Sequence, residues 1–341
     1  MRKPYFILSQ LFWPILLSLL TVWSAEVAAQ DCVKGNCKNG AGVYHYPDGS
    51  VYKGEFRGEK RHGMGVYRHI NGDVYEGEWS QDEMSGKGTY SYHNGDVYEG
   101  ELKKGKMHGY GIFTSSDGSV YKGEWIEDQR NGKGSWSQPN GTVMEGVWTD
   151  GKLKGKGHYV YPDGIYEGEF QESKRHGKGT FEWHDGNTYS GQWAYGVRSG
   201  QGRLDYADGT VYEGEWHKNK PSGQGTLITA AGSRYEGAFK LGKHHGQGKM
   251  VHSNGDVYEG EWHMGRKHGM GMYRYGDGSV YEGEWHMDRK HGEGTYVYAD
   301  GSRYKGEFYS GKVHGQGMFK TRTGEIRKGK FLYGKFVPIS N

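Results

Sequence analysis

The sequence predicts an all-β fold, an elongated twisted ribbon of about thirteen stacked antiparallel β-hairpins forming a single solenoid-like sheet. Three observations predict it. An aromatic-led motif recurs every 23 residues, residue character alternates with period two inside each copy, and Asp-Gly or Asn-Gly separates the alternating runs. A fixed period of this size marks a repeat array, in which each unit buries its apolar face on its neighbours. Repeats fill nearly everything after residue 38, so one repeat domain is expected, although 341 residues would ordinarily suggest two.

The stretch Asp256 to Gly271, DVYEGEWHMGRKHGMG, shows the unit best. Its leading aromatic falls at Tyr52, Tyr75, Tyr98, Tyr121, Tyr166, Tyr189, Tyr212, Tyr235, Tyr258, Tyr281 and Tyr304, with Met144 in place of a tyrosine. In the copy ending at Trp285, Gly269, Gly271, Tyr273 and Tyr275 share one parity, as do Tyr281, Gly283 and Trp285. Met270, Met272, Arg274, Val280, Glu282 and Glu284 take the other. Two such runs joined by Gly276-Asp277-Gly278 read as a hairpin with one glycine-and-aromatic face and one mostly polar face. Glycine inside a strand is costly unless another group must approach the backbone closely. Rings of one position are therefore expected to lie over the bare backbone of another.

In chain order, Arg2 and Lys3 precede an apolar run from Tyr5 to Trp23, followed by Val27-Ala28-Ala29. This reads as a secretory signal peptide over residues 1–29, cleaved before Gln30, and the mature chain as periplasmic or extracellular. A retained membrane anchor is the competing reading, but Ser9, Gln10, Pro14 and Ser18 leave the run short of the ~20 apolar residues that span a bilayer. Cys32 and Cys37 follow directly. Two cysteines in an exported chain favour a disulfide, and they are too few for a structural zinc site. Residues 30–38 are thus expected to cap the array. The array itself runs over 39–331, with the Gly-x-Gly pair recurring thirteen times up to Gly315-Gln316-Gly317. One place is irregular. Val147 replaces a glutamate, and Gly164-Ile165-Tyr166 is one residue shorter than Gly118-Ser119-Val120-Tyr121. Loop length selects turn type, so a changed turn and a local bend near residues 140 to 166 are expected. Residues 332–341 read as a C-terminal cap, with Pro338 unable to donate to a further strand.

Net charge is only +3, yet the charges are sorted. Asp48, Asp73, Asp96, Asp256 and Asp277 stand at the Asp-Gly and Asn-Gly turns. Lys60, Arg61, Lys103, Lys104, Lys106, Lys174, Arg175, Arg266, Lys267, Arg289 and Lys290 stand in the connections between hairpins and are the candidate contacts to an anionic surface. In-register stacking would give one acidic and one basic margin. Taken singly, the aspartates are turn formers and the lysines solvate a loop. Collectively, the basic margin could meet anionic lipid at up to ~1 kcal/mol per cation.

His62, His108, His176, His245, His268, His291 and His314 each precede a Gly-x-Gly pair. They suggest a pH-sensing or metal-binding ladder, but copies two strands apart lie ~9.6 Å from one another, too far to share an ion, so a structural role is preferred. No metal, cofactor or small-molecule substrate is expected. Calcium at the Asn-Gly-Asp turns lacks the spacing of an EF-hand loop. Candidate acids and bases are copied along the ribbon, whereas an active site needs a unique convergence in a pocket, so no enzyme is expected. Nucleic acid is disfavoured by export and by the acidic margin.

Tyr-x-Gly-Glu followed by Trp, Phe or Leu occurs at Tyr52, Tyr75, Tyr98, Tyr121, Tyr166, Tyr212, Tyr258, Tyr281 and Tyr304, and His-Gly-x-Gly follows in seven copies. This pattern resembles the MORN repeat (membrane occupation and recognition nexus). The resemblance implies a ribbon of successive antiparallel hairpins. It also implies two candidate activities, phospholipid binding and association of ribbons side by side or end to end. The expectation is an exported non-catalytic scaffold or protein-interaction module that self-associates, with a peripheral membrane module as the alternative.

Overall fold

The computed structural model describes residues 31–337, so the signal-peptide reading and Pro338 lie outside the described residues. Those residues form one antiparallel sheet of 28 strands, each paired only with its sequence neighbours. The sheet is an open meander, as the alternation predicts. Strands of seven residues carrying the Tyr-x-Gly-Glu motif, such as β5 (Val74–Ser80), alternate with strands of nine carrying Gly-x-Gly, such as β6 (Glu83–Ser91).

The expected stacking of ring on glycine is present. Tyr281 is fully buried, and a Cβ built on Gly294 would stand 2.7 Å from its ring, while one on Gly283 would stand 2.5 Å from the Gly294 Cα. Between these tyrosines stand the Trp or Phe of each repeat. From Tyr166 to Phe331 they form an unbroken row of edge-to-face contacts with centroids 4.9–5.5 Å apart. Such geometry suits the ring quadrupole. The Trp that ends the Tyr-led motif also donates its Nε1–H to a glycine carbonyl 14 residues earlier, as Trp216 does to Gly202 at 2.9 Å and Trp285 to Gly271 at 3.1 Å. Burial is thus supplied by adjacent repeats.

The two margins differ from the sequence reading in turn type. The connections expected to be loops between hairpins are two-residue turns, with His286 paired to Arg289 around Met287 (φ 48°) and Asp288 (φ 68°). Two successive left-handed residues define the type I′ turn. The Asp-Gly connections are longer: Tyr275 N–H bonds to Ser279 O, Gly278 N–H bonds to Tyr275 O, and Gly278 has φ 88°. This is a type I turn closed by a left-handed glycine. Both margins are therefore hairpin turns.

The caps are strands. β1 (Asp31–Gly35) pairs with β2 (Asn39–His45), and Cys32 is bonded to Cys37, whose sulfur packs where a side chain on Gly42 would be. β28 (Lys335–Val337) pairs with β27 (Ile326–Leu332), and Phe336 packs on Phe331, 5.3 Å between centroids. At the irregular repeat, Tyr161 pairs with Gly164 around Pro162 and Asp163, so the missing residue does shorten the turn. Met144 cannot cover the glycines as a tyrosine does, and Leu153, fully buried against Gly146, fills the space. Strand pairing continues through this segment.

Candidate functional site

Each repeat contains a bulge that organises its polar groups. Gly77 pairs with Gly88 and Trp79 with Met84, leaving Ser85, Gly86 and Lys87 opposite the single Glu78. Gly86 is left-handed (φ 67°) and its excess backbone groups need partners. Two side chains supply them. Tyr75 donates its hydroxyl to the Glu78 carbonyl at 2.9 Å, and Glu78 Oε1 accepts the Lys87 N–H at 3.0 Å. The same pair of bonds recurs at Glu124, Glu169, Glu215, Glu261, Glu284 and Glu307. The motif glutamate is thus committed to holding a bulge. Val147 and Ala238 stand at this place without a carboxylate.

Neighbouring turns are laddered. On the Asp-Gly margin, Asp73 accepts the backbone N–H of His93, and Asp256 that of Gly276, both at 2.8 Å. Burial pushes Asp73 up, but bonds from His93, Asn71 and Tyr90 prevail and hold its carboxyl well below the usual range. On the opposite margin Asp82 accepts the Arg61 N–H at 2.8 Å, and Asp288 the Lys267 N–H at 2.9 Å. Repeats stack in register at both edges.

This geometry divides the candidate surface cations into two sets. Lys60, Lys103, Lys104, Lys106, Lys174, Arg266 and Arg289 are exposed at the type I′ turns. Arg61, Arg175, Lys267 and Lys290 instead lie half-buried over the aromatic face, with the Arg61 guanidinium 4.2 Å from the Trp79 centroid, Arg175 4.3 Å from Trp193, Lys267 4.6 Å from Tyr273 and Lys290 4.3 Å from Tyr296. Burial lowers the Lys290 pKa to about 8. The Trp285–Lys290 register pair explains the placement, because a two-residue turn puts the second residue after it opposite the tryptophan. The basic margin is also mixed: Glu59, Asp82, Glu127, Asp128, Asp150, Glu172 and Asp288 occupy the same turns, and Lys106 and Lys152 pair with Glu127 and Glu172. Arg130 and Arg198, which the charge pattern does not single out, occupy equivalent stacked positions over Trp148 and Trp216.

Concavities on the sheet faces are open troughs, one lined by Lys53, Met64, Val66 and Glu76, another at the capped end by Tyr44, Tyr46, Phe56 and Arg61. Among the described residues no three His, Cys, Asp or Glu side chains converge as metal ligands. The histidines before the Gly-x-Gly pairs sit at the bulges, where the carbonyls of His108, His291 and His314 accept from the tyrosine hydroxyls at 3.3–3.4 Å. Their rings have closer neighbours than the two-strand spacing suggests, because His263 and His286 from intervening strands stand between them.

An open meander built from this bulged, ring-on-glycine unit defines a repeat scaffold with extended faces. The MORN repeat profile matches thirteen consecutive segments from residue 34 to residue 326, and the chain belongs to the MORN-repeat family. No curated protein matches it. Among solved structures it is similar to the TCP10 domain of Danio rerio CPAP in complex with a peptide of Danio rerio STIL, at 13% identity over 89% of this chain and 100% of that one, TM-score 0.18. It is also similar to the SAS-4 (dCPAP) TCP domain in complex with a proline-rich motif of Ana2 (dSTIL) of Drosophila melanogaster, at 17% identity over 57% and 96%, TM-score 0.24. A streptogramin B lyase matches at 13% identity over 82% and 94%, TM-score 0.15. At such scores these likenesses carry no functional argument.

Proposed function

We propose that the chain is an exported, non-catalytic scaffold that binds protein along its length and self-associates. The observation that carries this reading is the single open sheet: its motif glutamates and turn aspartates are engaged in bulges and turn ladders, and what repeats along it are two long faces and two margins. Surfaces of that kind suit extended partners. The outer edges of β1 and β28 have no strand partner within the described residues and offer a route to end-to-end pairing. Light scattering after size exclusion, with cross-linking of the secreted chain, tests this. Concentration-dependent oligomers or a retained protein partner support it, and a strict monomer with no protein partner contradicts it.

The membrane alternative rests on the exposed cations of the type I′ margin. It is weakened by the cations that turn inward over rings and by the acidic residues sharing that margin. Sedimentation with anionic vesicles at rising salt separates the readings, since electrostatic attachment weakens with screening. The scaffold reading predicts no salt-sensitive vesicle binding.

A further inference from the structure

On the polar face, beside the type I′ margin, imidazoles from successive strands form a continuous row. His245 lies 5.3 Å from His263, His263 5.6 Å from His268, His268 5.1 Å from His286, and His286 5.6 Å from His291, all between ring centroids. Two repeat positions alternate in it. One is the residue before Gly-x-Gly, and the other is the residue after Trp, which is histidine at 217, 263 and 286. Among the described residues this is the place where both positions hold histidine in consecutive strands. Beyond His291 the row continues through Tyr309, His314 and Tyr333 at 5.6, 5.6 and 4.8 Å. Rings therefore pack here whether or not they carry nitrogen.

We propose that the row from His245 to His291 binds divalent transition-metal ions in two-histidine sites, each made by imidazoles of adjacent strands. Imidazole nitrogen is a preferred ligand of Cu2+, Ni2+ and Zn2+, and two neighbouring rings at this spacing can share one ion where rings two strands apart cannot. Because no three ligating side chains converge among the described residues, each ion completes its shell with water. Five imidazoles form at most two independent pairs, so capacity is two ions per chain. The surroundings suit a cation. Glu284 is the register partner of His291, and the Nδ1 atoms of His245 and His268 are enclosed without a protein partner, leaving Nε2 as the accessible nitrogen.

The test is a Cu2+ titration of the full chain in a non-coordinating buffer, followed by electron paramagnetic resonance. Its control is the double variant H263Y/H286Y, which copies the natural Tyr309 and keeps the packed row while removing the two intervening imidazoles. The wild type is expected to take up to two ions with imidazole-nitrogen coupling in the spectrum. The variant, with an unchanged thermal midpoint, is expected to bind at least tenfold more weakly. A second pair, H263Q/H286Q, guards against a packing artefact and should show the same loss. Equal affinity and unchanged nitrogen coupling in wild type and both variants would overturn the assignment and place any bound copper on the other histidines.

Discussion

Gly294 has no room for even one more carbon: its Cβ would meet the Tyr281 ring at 2.7 Å, and the backbone of the paired Gly283 lies alongside. Gly294→Ala must therefore displace a buried ring, and by the usual cost of overpacking it should destabilise by about 1–3 kcal/mol, read from the urea midpoint. An unchanged midpoint would mean that the ring is not seated there. Burial also pushes the pKa of Tyr75, Tyr121, Tyr189, Tyr235 and Tyr304 up to about 12. An unfolded tyrosine ionises near 10. Each raised pKa favours the fold fully below pH 10, and that contribution is lost as pH climbs toward 12. Alkaline unfolding in that window, followed by phenolate absorbance and circular dichroism together, should show ionisation and loss of sheet as one event. Independent, reversible titration near pH 10 with the sheet intact would refute the burial.

At the scale of the repeat, the bulge is the deciding feature. Ala238 interrupts the run of carboxylates, and a Cβ on Gly246 would find only the Ala238 methyl at 3.4 Å, where its counterparts meet glutamate oxygens. Ala238→Glu should let the new carboxylate accept the Gln247 N–H and stabilise by roughly 0.5–1.5 kcal/mol, a gain measurable in the thermal midpoint. A loss of stability would show that the bulge does not need the bond. The ring-and-glycine face and the positions of Met144 and Val147 were legible from period and parity alone. The bulge was not. It puts two extra residues in the Gly-x-Gly strand on one side only, since the ladder to the next strand runs regularly from Gly269–Trp285 to Gly271–Gly283, and Glu261 finds its partner, Met270, nine residues away across that irregularity. For the same reason Lys290 reads as a margin cation in sequence and lies over Tyr296 in space: its side is fixed by a two-residue turn of left-handed Met287 and Asp288, residues whose identities do not announce that geometry. The histidine row escaped because one repeat position is compared with its own copies, whereas the contacts join two different positions.

For the whole molecule, stability is a sum over neighbours, so a complete unit should be removable. Deleting residues 212–234 takes out one 23-residue repeat, two strands that return the chain to the same face and direction. The shortened chain should fold with a thermal midpoint within a few degrees of the parent, as one-dimensional arrays do. Failure to fold would point to a global core. The sheet grows lengthwise without closing, and small-angle X-ray scattering of the chain tests this most directly. Twenty-eight strands at ~4.8 Å give a length on the order of 130 Å before twist, so a radius of gyration above about 30 Å is predicted. A value near 20 Å, that of a compact globule of 341 residues, would contradict it.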